Sequence, residues 1–178
     1  MAKKVLVICG SPYTDSNSDA LAEAFAAGAI EGGGTVETVK ISHKKIGMCM
    51  GCDHCRHSGN WTCVQQDDMQ GIYKLVEDAD VVALVTPLYF RTVTAHLKMF
   101  IDRLYCLHHP GKIRGKKGVL LSTSGGPGSA VLTDYFAELC DLLGWENAGT
   151  VMQGGLHRGG NGPDGAKKAE AHELGKSV

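Results

Sequence analysis

The densest group of reactive side chains in the sequence is a set of four cysteines in the segment CMGCDHCRHSGNWTC. They are Cys49, Cys52, Cys55 and Cys63, with the spacing C-x2-C-x2-C-x7-C. Three thiols at three-residue intervals can reach one centre, because a turning loop carries every third side chain to the same side. Four thiolates suit a [4Fe–4S] cluster or a zinc ion. The alternative is that the four thiols are free or redox-active and bind no metal.

We expect neither the two histidines inside this segment nor the later pair His108 and His109 to bind a metal. His54 and His57 sit between the cysteines and could replace a ligand, but solvated loop side chains are the expectation there. His108 and His109 precede a buried strand and have no partner at a ligand spacing. The metal-ligand set that the sequence offers is therefore the four thiols.

The composition excludes several classes of function. The chain has 18 Lys and Arg against 19 Asp and Glu, so no basic surface favours nucleic acid or an anionic membrane. No apolar run reaches the roughly 18 residues of a membrane helix, and the run Val5 to Cys9 is too short for a signal peptide. Seven cysteines are an odd number, and the cytosol keeps thiols reduced. We therefore expect a cytoplasmic protein with a ligand or redox site rather than a disulfide framework.

The segment GSPYTDSNS, residues 10–18, follows an apolar run and precedes a helical pattern. A helix N-terminus presents unpaired backbone N–H groups and the positive end of a dipole, which suits phosphate. Hydroxyl and amide donors are available from Ser11, Ser16, Asn17 and Ser18. Because Lys and Arg are scarce there, the loop suits a phosphate monoester better than a triphosphate with magnesium. It matches neither nucleotide fingerprint, G-x-x-x-x-G-K-[ST] or G-x-G-x-x-G, and the alternative is a helix cap rich in capping residues.

The segment TPLYF, residues 86–90, ends a second buried strand. Pro87 stops the strand, and Leu88, Tyr89 and Phe90 place large flat or apolar groups just beyond it. Such a surface suits an aromatic ring system such as a flavin. The alternative is that these side chains simply cover the core.

The segment STSGGPGS, residues 122–129, ends a third buried strand. Gly125 and Gly126 permit close backbone approach, while Thr123 and Ser124 offer hydroxyls; the alternative is an ordinary glycine-rich turn. Three such loops at one edge of a sheet together suit one ligand. Its phosphate would lie in the first loop, its ring along the second, and the polar edge of the ring at the third. We therefore predict that the ligand is FMN.

The pattern of apolar residues supplies a scaffold for these loops. Strands are predicted at 5–9, at 36–41 and in the segments ADVVALVTP, KKGVLLSTSGG and NAGTVMQGG. Helices are predicted at about 21–29, at about 69–76 with Asp67 or Asp68 as the N-cap, at about 93–104, over 130–143 and, weakly, from Asp164. Near-uniformly apolar strands that alternate with helices indicate a parallel sheet covered on both faces. We therefore expect an α/β protein with one doubly wound five-stranded domain over 1–178 and a cysteine-rich insertion at about 43–66.

Three motifs, in the right order, resemble those of the flavodoxin-like NADPH-dependent FMN reductases. The G-S-P-x4-N-S stretch after the first strand resembles the family fingerprint G-S-P-x4-N-[ST]. The P-L-Y-F…K-x-F-I-D-R stretch, residues 87–103, resembles its second signature. The pattern C-x-G-C-x-x-C…C-x-x-x-D-D-M, residues 49–69, resembles the subgroup called iron–sulfur flavoproteins. The resemblance runs from about Lys3 to Gly155 and implies the flavodoxin-like fold.

The resemblance also implies which residues bind cofactors. The FMN positions that it implies are Ser11, Ser16, Asn17 and Ser18 at the phosphate, Pro87, Leu88, Tyr89 and Phe90 along the isoalloxazine, and Thr123, Ser124, Gly125 and Gly126 near its pyrimidine edge. The [4Fe–4S] ligands that it implies are Cys49, Cys52, Cys55 and Cys63. Many family members carry Arg or Lys at the position of Tyr13, so this chain lacks the usual cation of the phosphate loop.

The function implied is an FMN-dependent oxidoreductase that takes hydride from NADH or NADPH. Its electrons would pass to a quinone, a free flavin, another small oxidant, a protein acceptor or the cluster. No side-chain acid or base is required, so no catalytic residue is assigned. The alternatives are a flavodoxin-type electron carrier, which the neutral charge disfavours, and a flavin-binding regulatory module without catalysis. The resemblance to this family also implies assembly into a homodimer or a homotetramer, and we expect one of these here.

Overall fold

The computed structural model describes residues 2–158 and 160–178 and contains one five-stranded sheet. The strands are β1 (Lys4–Cys9), β2 (Thr35–Lys40), β3 (Val81–Pro87), β4 (Lys117–Thr123) and β5 (Glu146–Gln153). Their order is β2-β1-β3-β4-β5, and all neighbouring pairs are parallel. This is the doubly wound order of the flavodoxin-like fold, so the predicted fold class is confirmed.

Seven helices occur in the described residues. They are α1 (Asn17–Glu31), α2 (His54–His57), α3 (Met69–Asp78), α4 (Ala95–Arg103), α5 (Tyr105–His108), α6 (Ala130–Leu143) and α7 (Gly165–Ser177). The predicted helix over 130–143 coincides with α6. The short helices α2 and α5 were not predicted, because a single helical turn shows no apolar period. None of the helices described is long and apolar enough to cross a membrane.

Helices cover both faces of the sheet because consecutive residues of each central strand point to opposite sides. In β1, Leu6 and Ile8 join a core formed with α3, α4 and α6. The intervening Val5 and Val7 join a second core formed with α1 and α7. Strands buried on both faces need apolar residues at every position, which is why β1, β3 and β4 could be predicted from continuous apolar runs.

The last helix, α7, packs on α1 through small residues, since its buried positions are Ala171 and Gly175. A Cβ atom added at Gly28 would lie 1.9 Å from the His172 carbonyl oxygen, and one at Gly175 would lie 2.1 Å from the Phe25 carbonyl oxygen. The two backbones therefore meet directly, and glycine is required at both contact points. This contact explains why the sequence predicts α7 only weakly, since backbone packing leaves no apolar stripe.

The ends of two predicted elements differ by a few residues from the structure. Ile41, predicted as the end of β2, begins a 3-10 turn over Ile41–His43. Val93, predicted on the stripe of α4, precedes the N-cap residue Thr94. Both side chains are nevertheless buried, so apolar periodicity detected their burial rather than their backbone conformation.

One buried ion pair closes the cysteine-rich insertion at its base. Arg103, at the end of α4, donates from Nη1 to Asp67 Oδ2 at 2.7 Å and to the Gly47 carbonyl oxygen at 2.8 Å. Its Nη2 donates to Asp67 Oδ1 at 3.1 Å, and its Nε donates to the Tyr73 hydroxyl at 3.1 Å. Asp67 also accepts from the N–H groups of Gly47 and Met69. Both ends of the insertion are therefore fixed to one guanidinium, which we name the Arg103 clamp.

The Arg103 clamp accounts for the acidity of Asp67. Burial opposes ionisation of this carboxyl, but hydrogen bonds from Arg103 and the Gly47 N–H outweigh burial and hold its pKa below the ordinary value of 3.8. A carboxyl with a lowered folded-state pKa stabilises the fold above its ordinary pKa. That contribution is lost as the pH falls through the folded-state value.

We expect Asp67→Asn to lower the free energy of unfolding by about 3 kcal/mol at neutral pH, because the Arg103 guanidinium would stay buried without a counter-ion. The Arg103 side chain is only 1% exposed and that of Asp67 is 16% exposed. Urea denaturation followed by circular dichroism measures the difference from the wild type. The difference should begin to shrink as the pH falls below 3.8 and should vanish once the pH is below the lowered folded-state pKa of Asp67.

Asp102→Asn is the matched control on the same helix. Asp102 pairs with Lys98, but both side chains are nearly half exposed. Its removal should cost less than about 0.5 kcal/mol, as for other exposed pairs four residues apart. Equal losses for the two variants would contradict the role assigned to the Arg103 clamp.

Candidate flavin site

A cleft of about 440 Å³ opens at the carboxyl edge of the sheet. Strands β1, β3 and β4 are neighbours and parallel, so the loops that follow them meet at this edge. The point lies beside the switch in strand order, where ligands bind in open α/β sheets. The cleft volume falls within the range of about 300–1,000 Å³ that small-molecule sites occupy.

The loop between β1 and α1 lines the cleft with Ser11, Ser16, Asn17 and Ser18. Ser16 caps α1, because its hydroxyl accepts from the Asp19 N–H at 3.2 Å while its own N–H donates to the Asp19 carboxylate at 3.0 Å. Among the described residues, the backbone N–H groups of Asn17 and Ser18 have no acceptor. The helix start thus faces the cleft with unpaired donors and the positive end of its dipole.

Thr94 holds this loop against the next one. Its hydroxyl donates to the Gly10 carbonyl oxygen at 2.7 Å and accepts from the Leu97 N–H, capping α4. Its own N–H donates to the Thr86 hydroxyl at 3.1 Å. A Cβ atom at Gly10 would lie 2.7 Å from the Leu97 Cβ, so only glycine fits where the two loops cross.

The loop after β3 lines the cleft with Pro87, Leu88 and Tyr89, whereas Phe90 is not among the lining residues. Tyr89 and Thr92 exchange backbone hydrogen bonds, so the chain turns back over Phe90 and Arg91. Both turn residues have positive φ, 47° and 69°, and the turn carries the Phe90 ring fully into solvent. Phe90 was predicted along a flavin ring, but in the described structure it lies outside the lining of the cleft.

The loop after β4 lines the cleft with Thr123, Ser124 and Gly125. Gly126 lies behind them, where its carbonyl oxygen accepts from the Ser124 hydroxyl at 2.7 Å and from the Gly155 N–H at 3.0 Å. The predicted Gly126 therefore supports the loop instead of lining the cleft. Its carbonyl oxygen joins this loop to the segment after β5.

Six further residues line the cleft that sequence reasoning did not select. They are Tyr13, Thr14 and Asp15 from the first loop and Leu156, His157 and Arg158 from the segment after β5. Leu156 donates its N–H to the Ser124 carbonyl oxygen at 2.8 Å, which draws that segment over the cleft. The predicted topology could have indicated the residues after β5, because β5 is parallel to the other strands and therefore ends at the same carboxyl edge of the sheet.

The polar and aromatic groups of the cleft fit FMN by chemistry and by size. Ser11 and Ser18 are fully buried polar residues beside the unpaired N–H groups of α1. Tyr89 stands next to Leu88 and Pro87, and burial together with the nearby Tyr13 hydroxyl raises its pKa, so its phenol stays protonated. A polar end with unpaired N–H groups, an apolar wall and a hydroxyl-bearing loop thus surround one cavity.

The cysteines of the insertion are not gathered into one ligand set. Cys49 and Cys52 are exposed, and Cys55 and Cys63 are half-buried against the core. Over residues 2–158 and 160–178, no group of three or more His, Cys, Asp or Glu side chains is placed to hold a metal. The donor chemistry of four thiols fits an iron–sulfur cluster, but their arrangement in this structure does not.

The thiols of the core differ in acidity from Cys55 of the insertion. Burial raises the pKa of the half-buried Cys55 thiol, and a hydrogen bond from the Arg56 N–H opposes that rise. By contrast, Cys9, Cys106 and Cys140 lie in the core, where burial raises their pKa values to about 12, 11 and 11. Those three thiols stay protonated and are unreactive, which sets them apart from the insertion.

Aromatic stacking holds the far side of the insertion. Trp61 stacks on His109 with ring centroids 5.1 Å apart and an interplanar angle of 10°. Tyr105 packs edge-on against the same imidazole at 4.8 Å. These contacts hold the His109 ring against the insertion, so it supports that loop rather than the cleft.

Comparison with known proteins identifies the family. Residues 3–155 match the model of the family described as NADPH-dependent FMN reductase. The chain belongs to the NADPH-dependent FMN reductase family. It is therefore an oxidoreductase of an FMN-dependent NAD(P)H reductase family, as predicted.

Within the NADPH-dependent FMN reductase family, the chain is similar to iron–sulfur flavoproteins. One from Archaeoglobus fulgidus is 34% identical over 176 residues, which cover 98% of this chain and 78% of the relative. One from Methanocaldococcus jannaschii is 30% identical over 186 residues, covering 98% of this chain and 95% of the relative. The predicted resemblance to this subgroup is confirmed.

A solved structure of an NAD(P)H:quinone oxidoreductase from Methanothermobacter marburgensis has the same fold. It matches with a TM-score of 0.75 at 22% identity, over 99% of this chain and 96% of that chain. Because the two sequences are only 22% identical, this similarity shows that the two proteins share a fold and shows nothing further.

The turn over Phe90 and Arg91 should be strained, because two consecutive positive φ angles favour Asn-Gly rather than Phe-Arg. We expect Phe90→Asn combined with Arg91→Gly to raise the free energy of unfolding by about 1 kcal/mol, since the strain is relieved and the exposed Phe90 ring loses no packing. The urea midpoint should rise at an unchanged denaturant slope.

Phe90→Ala combined with Arg91→Ala is the control for this turn. It removes the same side chains but keeps two non-glycine residues in the left-handed region. If the alanine pair were stabilised as much as the Asn-Gly pair, side-chain loss and not backbone strain would be the cause.

Proposed function

We propose that this chain is an FMN-dependent NAD(P)H oxidoreductase whose flavin lies in the cleft at the carboxyl edge of the sheet. The observation that carries the proposal is the convergence of three chemically different loops on one cavity of about 440 Å³. Each loop matches one part of FMN, and family membership supports the same cofactor. The sheet places all three at the switch in strand order.

The residues that would hold FMN follow from the lining of the cleft. Ser11, Ser16, Asn17 and Ser18 would bind the phosphate through hydroxyl, amide and backbone N–H groups. Pro87, Leu88 and Tyr89 would lie along the isoalloxazine, and Phe90 would extend this wall at the rim. Thr123, Ser124 and Gly125 would hydrogen-bond the pyrimidine edge, with Gly126 supporting them from behind.

The chain itself supplies binding and orientation. The chemistry that FMN supplies when bound is hydride uptake from a reduced pyridine nucleotide and electron transfer to an acceptor. Pro87 and Leu88 present an apolar wall that excludes water from one side of the cleft, while the other side stays open for a nucleotide or an acceptor. We infer a quinone, a free flavin or another small oxidant as acceptor, and we assign no catalytic acid or base. A homodimer or homotetramer stays our prediction, to be measured by light scattering.

We also propose that Cys49, Cys52, Cys55 and Cys63 ligate a [4Fe–4S] cluster. The thiol spacing and the similarity to proteins named iron–sulfur flavoproteins support this ligand set. Cys49 and Cys52 are exposed while Cys55 and Cys63 are half-buried, so ligation would require the exposed turn that carries Cys49 and Cys52 to close on the other two thiols. The Arg103 clamp holds both ends of the insertion, which limits the movement to its middle.

Reconstitution and turnover test the proposed function. Protein incubated with FMN should retain a flavin spectrum after desalting, and NADH or NADPH should bleach it under anaerobic conditions. Turnover with a quinone or ferricyanide distinguishes a reductase from a flavodoxin-type carrier and from a regulatory module. Colourless protein after desalting would refute the flavin site, and flavin that neither nucleotide bleaches would refute the reductase.

Asn17→Asp tests whether the phosphate lies at the start of α1. A carboxylate in the first turn favours the helix, so the fold should be unchanged, but it would repel a phosphate. We expect at least a tenfold weaker FMN affinity, and a riboflavin affinity close to that of the wild type, in fluorescence titrations. Asn147→Asp is the control, because it adds the same charge to an exposed position on β5.

Cys55→Ser tests the cluster. Protein purified without oxygen should lose most of its iron and acid-labile sulfide, together with broad visible absorbance, while its FMN content stays unchanged. Cys140→Ser is the control, because that thiol lies on the buried face of α6 and far in sequence from the insertion. Wild-type protein without iron, but with flavin and turnover, would remove the cluster and leave the reductase.

A further inference from the structure

The charge of the proposed phosphate must be balanced within the cleft. A phosphate monoester carries about −1.5 to −2 at neutral pH. Of the described residues that line the cleft, Arg158 is the one Arg or Lys, and Asp15 is the one Asp or Glu. A charged donor adds a direct Coulomb attraction to the phosphate that a neutral donor lacks. The position of Arg158 therefore decides whether the phosphate meets a cation.

Arg158 lies on the phosphate loop although it is 145 residues further along the chain than Tyr13. Its Cζ is 4.0 Å from the centroid of the Tyr13 ring, a cation–π contact. The preceding residue, His157, accepts at its carbonyl oxygen from the Asn17 amide at 3.4 Å. Two independent contacts thus join the segment after β5 to the middle of the loop before α1 and to the first residue of α1.

The other cation near the start of α1 is already paired. Lys40 forms an ion pair with Asp19, which also belongs to the capping box of α1. Lys40 lines a neighbouring cavity on the β2 side of this loop and not the proposed flavin cleft. Its charge is therefore taken up by Asp19, and Arg158 is the cation left for a ligand in the flavin cleft.

We propose that Arg158 binds the FMN phosphate and that the Tyr13 ring holds its guanidinium over the phosphate loop. This assignment rests on the proposed function, because it takes the ligand of the cleft to be FMN. Arg158 thereby supplies from the segment after β5 the charge that the first loop lacks. A planar guanidinium suits both tasks, since it can stack on an aromatic ring and donate in parallel to two phosphate oxygens.

Titrations of the full chain with FMN and with riboflavin test the assignment by flavin fluorescence. Riboflavin lacks the phosphate but has the same ring. We expect Arg158→Ala to weaken FMN binding about 10- to 100-fold, the range for a lost charged hydrogen bond, and to change riboflavin binding less than about threefold. FMN binding by the wild type should weaken with added salt more steeply than FMN binding by Arg158→Ala.

Conservative and matched variants sharpen the test. Arg158→Lys keeps the charge but not the planar stack, so its FMN affinity should lie between those of the wild type and Arg158→Ala. Arg56→Ala removes the same charge from an exposed residue of the insertion and should change neither affinity. Circular dichroism of each variant confirms that the fold is retained.

The outcomes separate the two proposals. Equal weakening of FMN and riboflavin by Arg158→Ala would show that Arg158 supports the loop and not the phosphate, which overturns the assignment. Unchanged FMN affinity with a raised KM for NADPH but not for NADH would overturn it in favour of nucleotide recognition. A wild type that bound neither flavin would instead refute the proposed function, and the assignment with it.

Discussion

Thr94 makes the contact on which the geometry of the cleft depends. Its side chain and backbone join Gly10 at the end of β1, Thr86 in β3 and the first turn of α4. Parallel pairing alone brings strand ends to one edge, but it leaves the loops beyond them free to diverge. A buried hydroxyl with both a donor and an acceptor role removes that freedom. The phosphate loop and the apolar wall therefore keep a fixed separation before any ligand enters.

The same helix sets the position of the cysteine insertion. Helix α4 begins beside Thr94 at the cleft and ends at Arg103, whose guanidinium holds Gly47 and Asp67. Nine residues of helix span about 14 Å, so the base of the insertion lies at a set distance from the cleft. Cys49 and Cys63 are close in sequence to the two clamped residues. Cys52 and Cys55 lie farther from the clamp, and their positions depend on the conformation of the loop.

Sequence reasoning succeeded where local pattern and geometry agree. The buried strands and α6 were predictable, because continuous apolar runs and a helical period each correspond to one conformation. Most proposed flavin contacts were predictable because they follow strand ends directly. That Phe90 stands outside the cleft lining could not be predicted, because its direction depends on two left-handed residues, which Phe and Arg rarely are. Arg158 was missed because it belongs to no motif, and only the folded chain brings it to Tyr13.

In the proposed FMN site, phosphate binding would be divided between fixed and adjustable groups. Ser11 and Ser18 are buried and held by the sheet and by α1, so they define where a phosphate can sit but cannot follow it. Arg158 is exposed on a loop and is positioned by a single aromatic ring, so it can adjust to the ligand. Neutral buried donors give direction with little dependence on salt, whereas an exposed cation gives strength that salt screens. A chain of nearly zero net charge can in this way bind a dianion without a basic surface.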